Sequence, residues 1–481
     1  MLVLVTLVSL LVQIYSHACM KSDTSLHRYY SFISLLTASM LGFVLSNNLL
    51  MMFVFWEIVG FSSFLLIGFW FNKPAAVNAA KKTFFITRIG DFALLAAVLV
   101  LFANTGTFDL MEINEAAAAG SLTGALLTWT AIGILAGAAG KSAQFPLHNW
   151  LPDTAETPAP ASALIHSVTL TAAGVFLVIR TLPLFQNSIA AVNTLAIIGG
   201  ITAIFAAAVC LAAYDLRKVL AYSTISQIGY IMLGLAAGGV FIGILHLINH
   251  AFYKTLLFLS GENIKQAAGT FDMRRMQGLR KCIPWTYAFF VIGSLSMAGL
   301  WPLSGFWSQN EILLSIMRTQ PILFALLLIT VFLTAFYIFR ALYMAFEEKD
   351  IEAKRAPGYK TPMLMTFPLL ILGILSVLSG LLCINGDFQS FIGGNTDITV
   401  LGDSFFGVFH HPLPWVLIFT ASFGLALAFL MYSSKWIRPE IFKRPLNGFY
   451  NILVKKLWLE GIYEKTADKL AGAGGPFRIF L

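Results

Sequence analysis

The sequence predicts an all-α polytopic membrane protein, and three observations carry that expectation. Of its 481 residues, 58% are hydrophobic and only 11% charged, and the mean hydropathy of +0.80 lies far outside the range of soluble domains. Apolar windows of roughly 20 residues, the length that crosses a bilayer as a helix, recur along nearly the whole chain. The basic residues fall in short loops between those windows, as cytoplasmic loops do, so the net charge of +8 reflects membrane topology and speaks against nucleic acid.

About thirteen spans are expected on this basis, near residues 2–15, 31–50, 52–71, 84–102, 124–142, 161–182, 192–213, 219–237, 240–260, 284–303, 321–346, 363–384 and 413–433. The first window lacks the basic flank and cleavage site of a secretory leader and reads as part of a transmembrane helix, at 2–15 too short to cross. Lys21 and Arg28, Lys73 with Lys81 and Lys82, Arg217 and Lys218, Arg274 to Lys281, Lys349 to Lys360 and the tail from Lys435 all fall on one side. Residues 103–123 and 385–412 have no Lys or Arg but carry Asp109, Glu112, Glu115, Asp387, Asp397 and Asp403. These loops are expected to face outward and the C-terminal tail the cytoplasm.

Two segments read as broken rather than continuous helices. In "GKSAQFPLHNWLPDTAETPAPASALIH" and "GLWPLSGFWSQNEILL", Gly and Pro interrupt apolar runs in a way that lipid-exposed backbone does not tolerate. A pair of interrupted helices in two halves points to a transporter built from repeats, with its ion site at the breaks. Residue identity alone does not align the halves.

A central Asp, Lys or Arg costs about 2.5 to 3.5 kcal/mol on insertion scales and usually faces a protein interior or hydrated cavity, so each buried charge needs a reason. Glu57 has no charged neighbour between Arg28 and Lys73; it is either a structural carboxyl or a proton carrier paired with a buried lysine. Lys141, at the first break, either snorkels to the interface or switches, since burial favours its neutral form and a nearby carboxylate its charged form. His166 follows that break and is a core histidine or a relay member; His148 lies in the more polar loop between them.

His246, His250 and Lys254 are spaced four apart and form one slightly drifting helical stripe,. Side chains one turn apart, about 5.4 Å along the axis, can pass a proton through water, and imidazole titrates near neutrality. Zinc is the rival reading, but HExxH and an evident third ligand are lacking. Arg88 and Asp91 are three apart and are expected to pair, as a structural unit or in coupling to Glu57. Asp215, Arg217 and Lys218 open a span whose Ser223, Thr224, Ser226 and Gln227 suit helix contacts or a wetted path. The cysteines, Cys19, Cys210, Cys282 and Cys383, have no CxxC spacing for a cluster or a zinc knuckle.

Taken in order, "FWEIVGFSSFLLIGF", "TRIGD", "GKSAQFPLHNWLPD", "PAPASALIH", "LAYSTISQIGY", "HLINHAFYKTLLFL" and "GLRKCIPWTYAFF" closely resemble the NuoL-type antiporter-like subunit of respiratory complex I, over about residues 30–345. The family includes chloroplast and cyanobacterial counterparts and Mrp-type sodium/proton antiporter subunits. The resemblance implies two inverted five-helix repeats, 31–182 and 183–346, each with a broken helix, after a partial N-terminal helix and loop at 1–30. It implies that Glu57 couples to Lys141 with Asp91 beside them, that Lys141 is the central pumping lysine, and that His166, His246, His250 and Lys254 continue the axis. Arg88, Asp91, Glu311 and Gln309 are then supporting positions.

The second broken helix, usually "SKDEI" in that family, here reads "SQNEI". Gln309 replaces the lysine and Asn310 the aspartate, leaving Glu311, and Gln cannot hold and release a proton. Either Lys254, Glu311 and water take over, or this half pumps poorly. At 347–481 the resemblance implies C-terminal helices and a basic tail, with the lateral helix and last span absent.

The function this implies is proton translocation, or sodium movement, in a bacterial inner-membrane NADH-quinone oxidoreductase. Neighbouring membrane subunits would be its partners. No metal or redox cofactor is expected in this chain, with NADH, FMN, iron-sulfur clusters and quinone in partner subunits. The alternatives are an Mrp-type cation/proton antiporter, a subunit of an inorganic-carbon-uptake or hydrogenase complex, a membrane metalloprotein, or an inactive scaffold.

Overall fold

The computed structural model describes residues 1–276, 278–347, 361–384, 386–392 and 405–438, with 441 and 448. The expected features at Lys349 to Lys360, at Asp397 and Asp403, and in the tail beyond 448 lie outside the described residues. Among the described residues eleven helices are long and apolar enough to cross a membrane. One of them, Leu216–Ala268, has 53 residues and is two spans joined at Gly239, whose φ of 79° and ψ of −165° are not helical. Pro284–Met297 is a further apolar helix, held to 14 residues by the break that follows it. With these two the expected span count is recovered.

Helix α1 (Leu2–Cys19) runs beyond the expected end at residue 15 and has 18 residues, enough to cross. The expectation of too short a first window is corrected here. Ser16 does not stop the helix, because its hydroxyl turns back to the Val12 carbonyl at 2.6 Å and also meets the Tyr29 hydroxyl at 2.8 Å. Helix α2 (Leu26–Leu45) follows, then α3 (Leu49–Ile67), started by the Asn48 side chain, which accepts from Met51 N. Helix α4 (Pro74–Thr105) begins with proline in its first turn and closes on the left-handed Gly106. The acidic loop then contains α5 (Leu110–Ala118), capped by Asp109.

The first broken helix comprises α6 (Gly124–Lys141), an irregular stretch with a 3-10 turn at Leu151–Glu156, and α7 (Ala159–Ser167). Helices α8 (Leu170–Arg180), α9 (Leu182–Gln186) and α10 (Ile189–Ala212) lead to the long α11 (Leu216–Ala268). The second break separates α12 (Pro284–Met297) from α13 (Ser304–Thr319). Then come α14 (Pro321–Phe346), α15 (Met363–Leu378), α16 (Asp387–Ile392) and α17 (Pro412–Ala428).

The repeat that residue identity hides is visible in backbone design. Leu49 N bonds Phe108 O and Leu110 N bonds Asn47 O, tying the start of α3 to the chain after α4; Leu216 N to Phe271 O and Met273 N to Tyr214 O do the same at the two ends of α11. Asn48 and Asp215 are the matching N-caps, and Gly106 and Gly269 the matching left-handed C-caps, where glycine carries no Cβ penalty. The pair α3 and α4 thus corresponds to the two arms of α11.

Candidate functional site

In the first half, three helices bring four charges together. Helix α4 approaches α6 closely because Gly90 has no side chain: a Cβ there would lie 2.5 Å from the Ala136 carbonyl. This sets Asp91 on α4 beside Lys141 at the end of α6, 3.7 Å away. Arg88, one turn earlier on α4, ion-pairs with Glu57 on α3 and lies 3.8 Å from Asp91. Trp56 Nε1 donates to Asp91 Oδ1 at 2.5 Å, and the Lys141 ammonium lies 5.2 Å from the centre of that indole ring. The charges run Glu57, Arg88, Asp91, Lys141, alternating in sign.

The pairing expected for Arg88 and Asp91 is therefore present, but Glu57 reaches Lys141 through two intermediates rather than directly. Lys141 is fully buried, and its Nζ makes no hydrogen bond among the described residues. Its charged form rests on Asp91 and the Trp56 ring alone, where an isolated ammonium is costly.

In the second half, the α11 stripe is wholly buried. His246 Nε2 donates to Gln227 Oε1 at 3.2 Å across the Gly239 joint, and Tyr253 donates to that oxygen at 2.9 Å. His246 Nδ1 meets Ser308 Oγ of α13 at 2.8 Å, so the stripe is fastened to the second broken helix. Asn249 also donates to Ser308, at 3.0 Å, and to Ser304 O at 2.8 Å. His250 has no hydrogen-bond partner on either ring nitrogen among the described residues and packs edge-on against Tyr253. Lys254 donates to Ser223 Oγ and, at 3.4 Å, to Leu220 O.

His166 links the two groups. Its Nε2 meets Thr154 Oγ1 at 2.8 Å, and its ring stacks on Phe258 of α11 at 4.4 Å between centroids. His148 is buried against Phe145 and Phe205. On α13, Gln309 donates to Met297 O at 2.9 Å, across the break, while Asn310 and Glu311 are buried and each keeps a side-chain oxygen without a hydrogen bond. Glu311 forms no ion pair among the described residues, where no group of three or more His, Cys, Asp or Glu is arranged to hold a metal ion.

Several partners carried no signal as charges. Trp56, Ser223, Gln227 and Ser308 hold the charged or imidazole groups; Ser223 and Gln227 stand out in sequence as a polar start to their span, whereas Trp56 and Ser308 read as ordinary span residues. Gly60 is a second such case: a Cβ there would collide with the Lys141 ammonium. Its spacing from Glu57 in "WEIVGF" was the available clue. Arg340 of α14 was also missed; it is buried and donates to the carbonyls of Cys210, Leu211 and Ala213, ending α10, as a cation at a helix C-terminus should.

Residues 46–334 match the family described as "NADH:quinone oxidoreductase/Mrp antiporter, TM". The chain belongs to this antiporter family. Every charged group above from Glu57 to Glu311 lies inside the matched stretch, and residues 1–30 match the family described as the N-terminus of "NADH-Ubiquinone oxidoreductase (complex I), chain 5". The NAD(P)H-quinone oxidoreductase chain 5 of a Synechocystis species is 38% identical over 97% of this chain and 76% of its own length. The chloroplast subunit 5 of Chaetosphaeridium globosum is 36% identical over 100% and 77%. Among solved structures, the Mrp complex from a Dietzia species matches with a TM-score of 0.77 at 25% identity, covering 98% of this chain and 52% of that one. Respiratory complex I from Thermus thermophilus matches with a TM-score of 0.68 at 26% identity, covering 88% and 83%.

Proposed function

We propose that the chain is a proton-translocating membrane-arm subunit of an NAD(P)H-quinone oxidoreductase, moving protons along Glu57, Lys141, His166, His246, His250 and Lys254 in response to quinone reduction in other subunits. The redox cofactors, NADH or NADPH, FMN and iron-sulfur clusters, belong to those partners. The membrane is a bacterial inner membrane with the basic loops on the cytoplasmic side, and a neighbouring antiporter-like subunit abuts this one. The observation that carries the reading is the alternating chain of four charges ending on Lys141, a buried ammonium with one counter-charge and no hydrogen bond.

That arrangement is a switch. With Arg88 drawn to Glu57, Asp91 shares its charge between Arg88 at 3.8 Å and Lys141 at 3.7 Å, and the ammonium is compensated. When a change of charge outside the cluster draws Glu57 away, Arg88 turns to Asp91, Lys141 loses its counter-charge, and its proton leaves for the relay. Lys serves here because, unlike Arg, it can be emptied. Loss of proton pumping in Lys141→Ala, with the complex assembled, is the expected result; full pumping in that variant sinks the reading.

An Mrp-type cation/proton antiporter is the second reading, favoured by the match to the Mrp complex over 98% of this chain. Purification decides between them: the first reading expects the chain to come out with NAD(P)H- or ferredoxin-oxidising, quinone-reducing subunits.

A further inference from the structure

The four-residue spacing of the α11 stripe does not stop at Lys254. It continues through Phe258 to Glu262 and Gln266. Phe258 is the apolar interruption, stacked on the His166 ring, so groups beyond it cannot reach Lys254 along α11 itself. Beyond it, Glu262 is only 6% exposed, and its Oε1 accepts from Lys265 and Gln266. Glu262 lines a cavity of about 510 Å³ together with Asp23, Lys73, Glu156, Thr157 and Arg217. At a water's share of about 30 Å³, the volume admits many waters, and three acids and three bases, counting Lys265, make the walls hydrophilic. The cavity meets the surface at exposed Ser22, Lys73 and Gly269, on the side of the basic loops.

From this cavity a second route leads inward. Thr157 lines it, is fully buried, and its hydroxyl has no hydrogen-bond partner among the described residues. The Thr157 amide donates to Thr154 O at 2.9 Å, and the Thr154 hydroxyl is the partner of His166 Nε2. A buried unpaired hydroxyl costs free energy unless water or function uses it.

We propose that this cavity is the mouth through which protons reach the relay, with Glu262 as the carboxylate that receives them and the Thr157 and Thr154 hydroxyls as the steps that deliver them to His166. The proposal rests on the proton-translocating reading above. A proton leaves cavity water for Glu262 and goes on to the Thr157 hydroxyl; the Thr154 hydroxyl, whose proton rests on Leu151 O at 2.6 Å, turns that proton to His166 Nε2 as it takes one from Thr157. The net transfer is one proton from the basic-loop face to His166 Nε2.

Proton pumping by the whole complex in sealed vesicles, followed with a pH-sensitive dye, tests it. Thr157→Val removes a hydroxyl that no hydrogen bond among the described residues uses and keeps the shape, so assembly is unchanged while pumping falls by at least roughly tenfold, short of the full factor of a positioned acid or base. Thr157→Ser restores it, and Glu262→Gln falls likewise while Glu262→Asp recovers in part. Wild-type pumping in Thr157→Val or in Glu262→Gln overturns the proposal, as does a Thr157→Val defect that Ser does not rescue. Lys141→Ala runs beside them: if it fails to pump while the cavity variants pump normally, only the mouth is refuted, and if it pumps fully, the reading of the whole chain fails.

Discussion

Lys254 bonds Ser223 from the same place in its helix pair from which Asp91 bonds Trp56. Counted back from their left-handed glycines, Gly269 and Gly106, Lys254 and Asp91 occupy the same position; counted forward from the N-caps Asp215 and Asn48, so do Ser223 and Trp56. One half of the repeat therefore holds a carboxylate where the other holds an ammonium. The matched positions are opposite in charge, with an acid beside Lys141 and a base at the matching place in the second half.

Asp91→Asn should leave Lys141 buried without a counter-charge. Breaking such a pair from one side costs about 3–5 kcal/mol, so thermal stability and yield should fall and pumping should be lost. Asp91→Asn with Lys141→Met should regain stability but not pumping. Melting of the purified complex, read beside vesicle pumping, separates the two; if the double variant is no more stable than the single, the pair is not the source of the loss.

Gly60→Ala should displace the Lys141 ammonium, because its new Cβ occupies that space. Overpacking of this kind costs about 1–3 kcal/mol. With Lys141→Ala as background the same change should be nearly silent in a melting experiment, and equal effects in both backgrounds would refute the contact.

Glu311→Gln should separate stability from function. The carboxyl is buried with no ion pair among the described residues, so removing its charge should leave melting unchanged or raise it. Pumping should fall if Glu311 does the work the missing lysine at Gln309 leaves undone. Undiminished pumping would remove Glu311 from the path.

Ser308→Ala should loosen the second broken helix from the stripe, leaving His246 Nδ1 unpaired and Asn249 short of one bond. Each buried group so orphaned costs about 1–3 kcal/mol. Hydrogen exchange in α13 should accelerate, whereas exchange in α6 should not.

Outside the spans, donation from Arg274 holds the Asp272 carboxyl below the usual carboxylate range. A carboxylate depressed in the folded chain stabilises it above the unfolded value and loses that contribution as pH falls through the folded one. Backbone exchange around the pairing of Asp215 with Asp272 should therefore rise on acidification below about pH 4, and Asp272→Asn should be insensitive over the same range.

The spans, the breaks and the charged members of the site were legible in the sequence because lipid makes each of them expensive. A long apolar window suits a span, a proline inside one frees a carbonyl that must find a partner, and a lone lysine there needs water or a counter-charge. The repeat was not legible, since Asn48 matches Asp215, Trp56 matches Ser223 and Asp91 matches Lys254, positions equivalent in backbone but opposite in chemistry. The route from Glu57 to Lys141 was half legible. Arg88 and Asp91 were marked as a pair, but their insertion between Glu57 and Lys141 depends on how α3, α4 and α6 pack, which spacing along one helix does not encode. Arg340 escaped because, near the end of a span, it reads as an interface anchor rather than the cap of another helix.

Gly239 leaves one more consequence. Its torsions are essentially open only to glycine, yet a Cβ there would touch nothing within 4 Å. The residue is chosen for angle, not for room. With no loop between its arms, α11 is a bent lever on a single pivot: one arm carries Ser223 and Gln227, and the other carries Lys254 and His246, their partners. A few degrees of swing at that pivot would lengthen or shorten both bonds at once, gearing an ammonium and an imidazole to the same stroke.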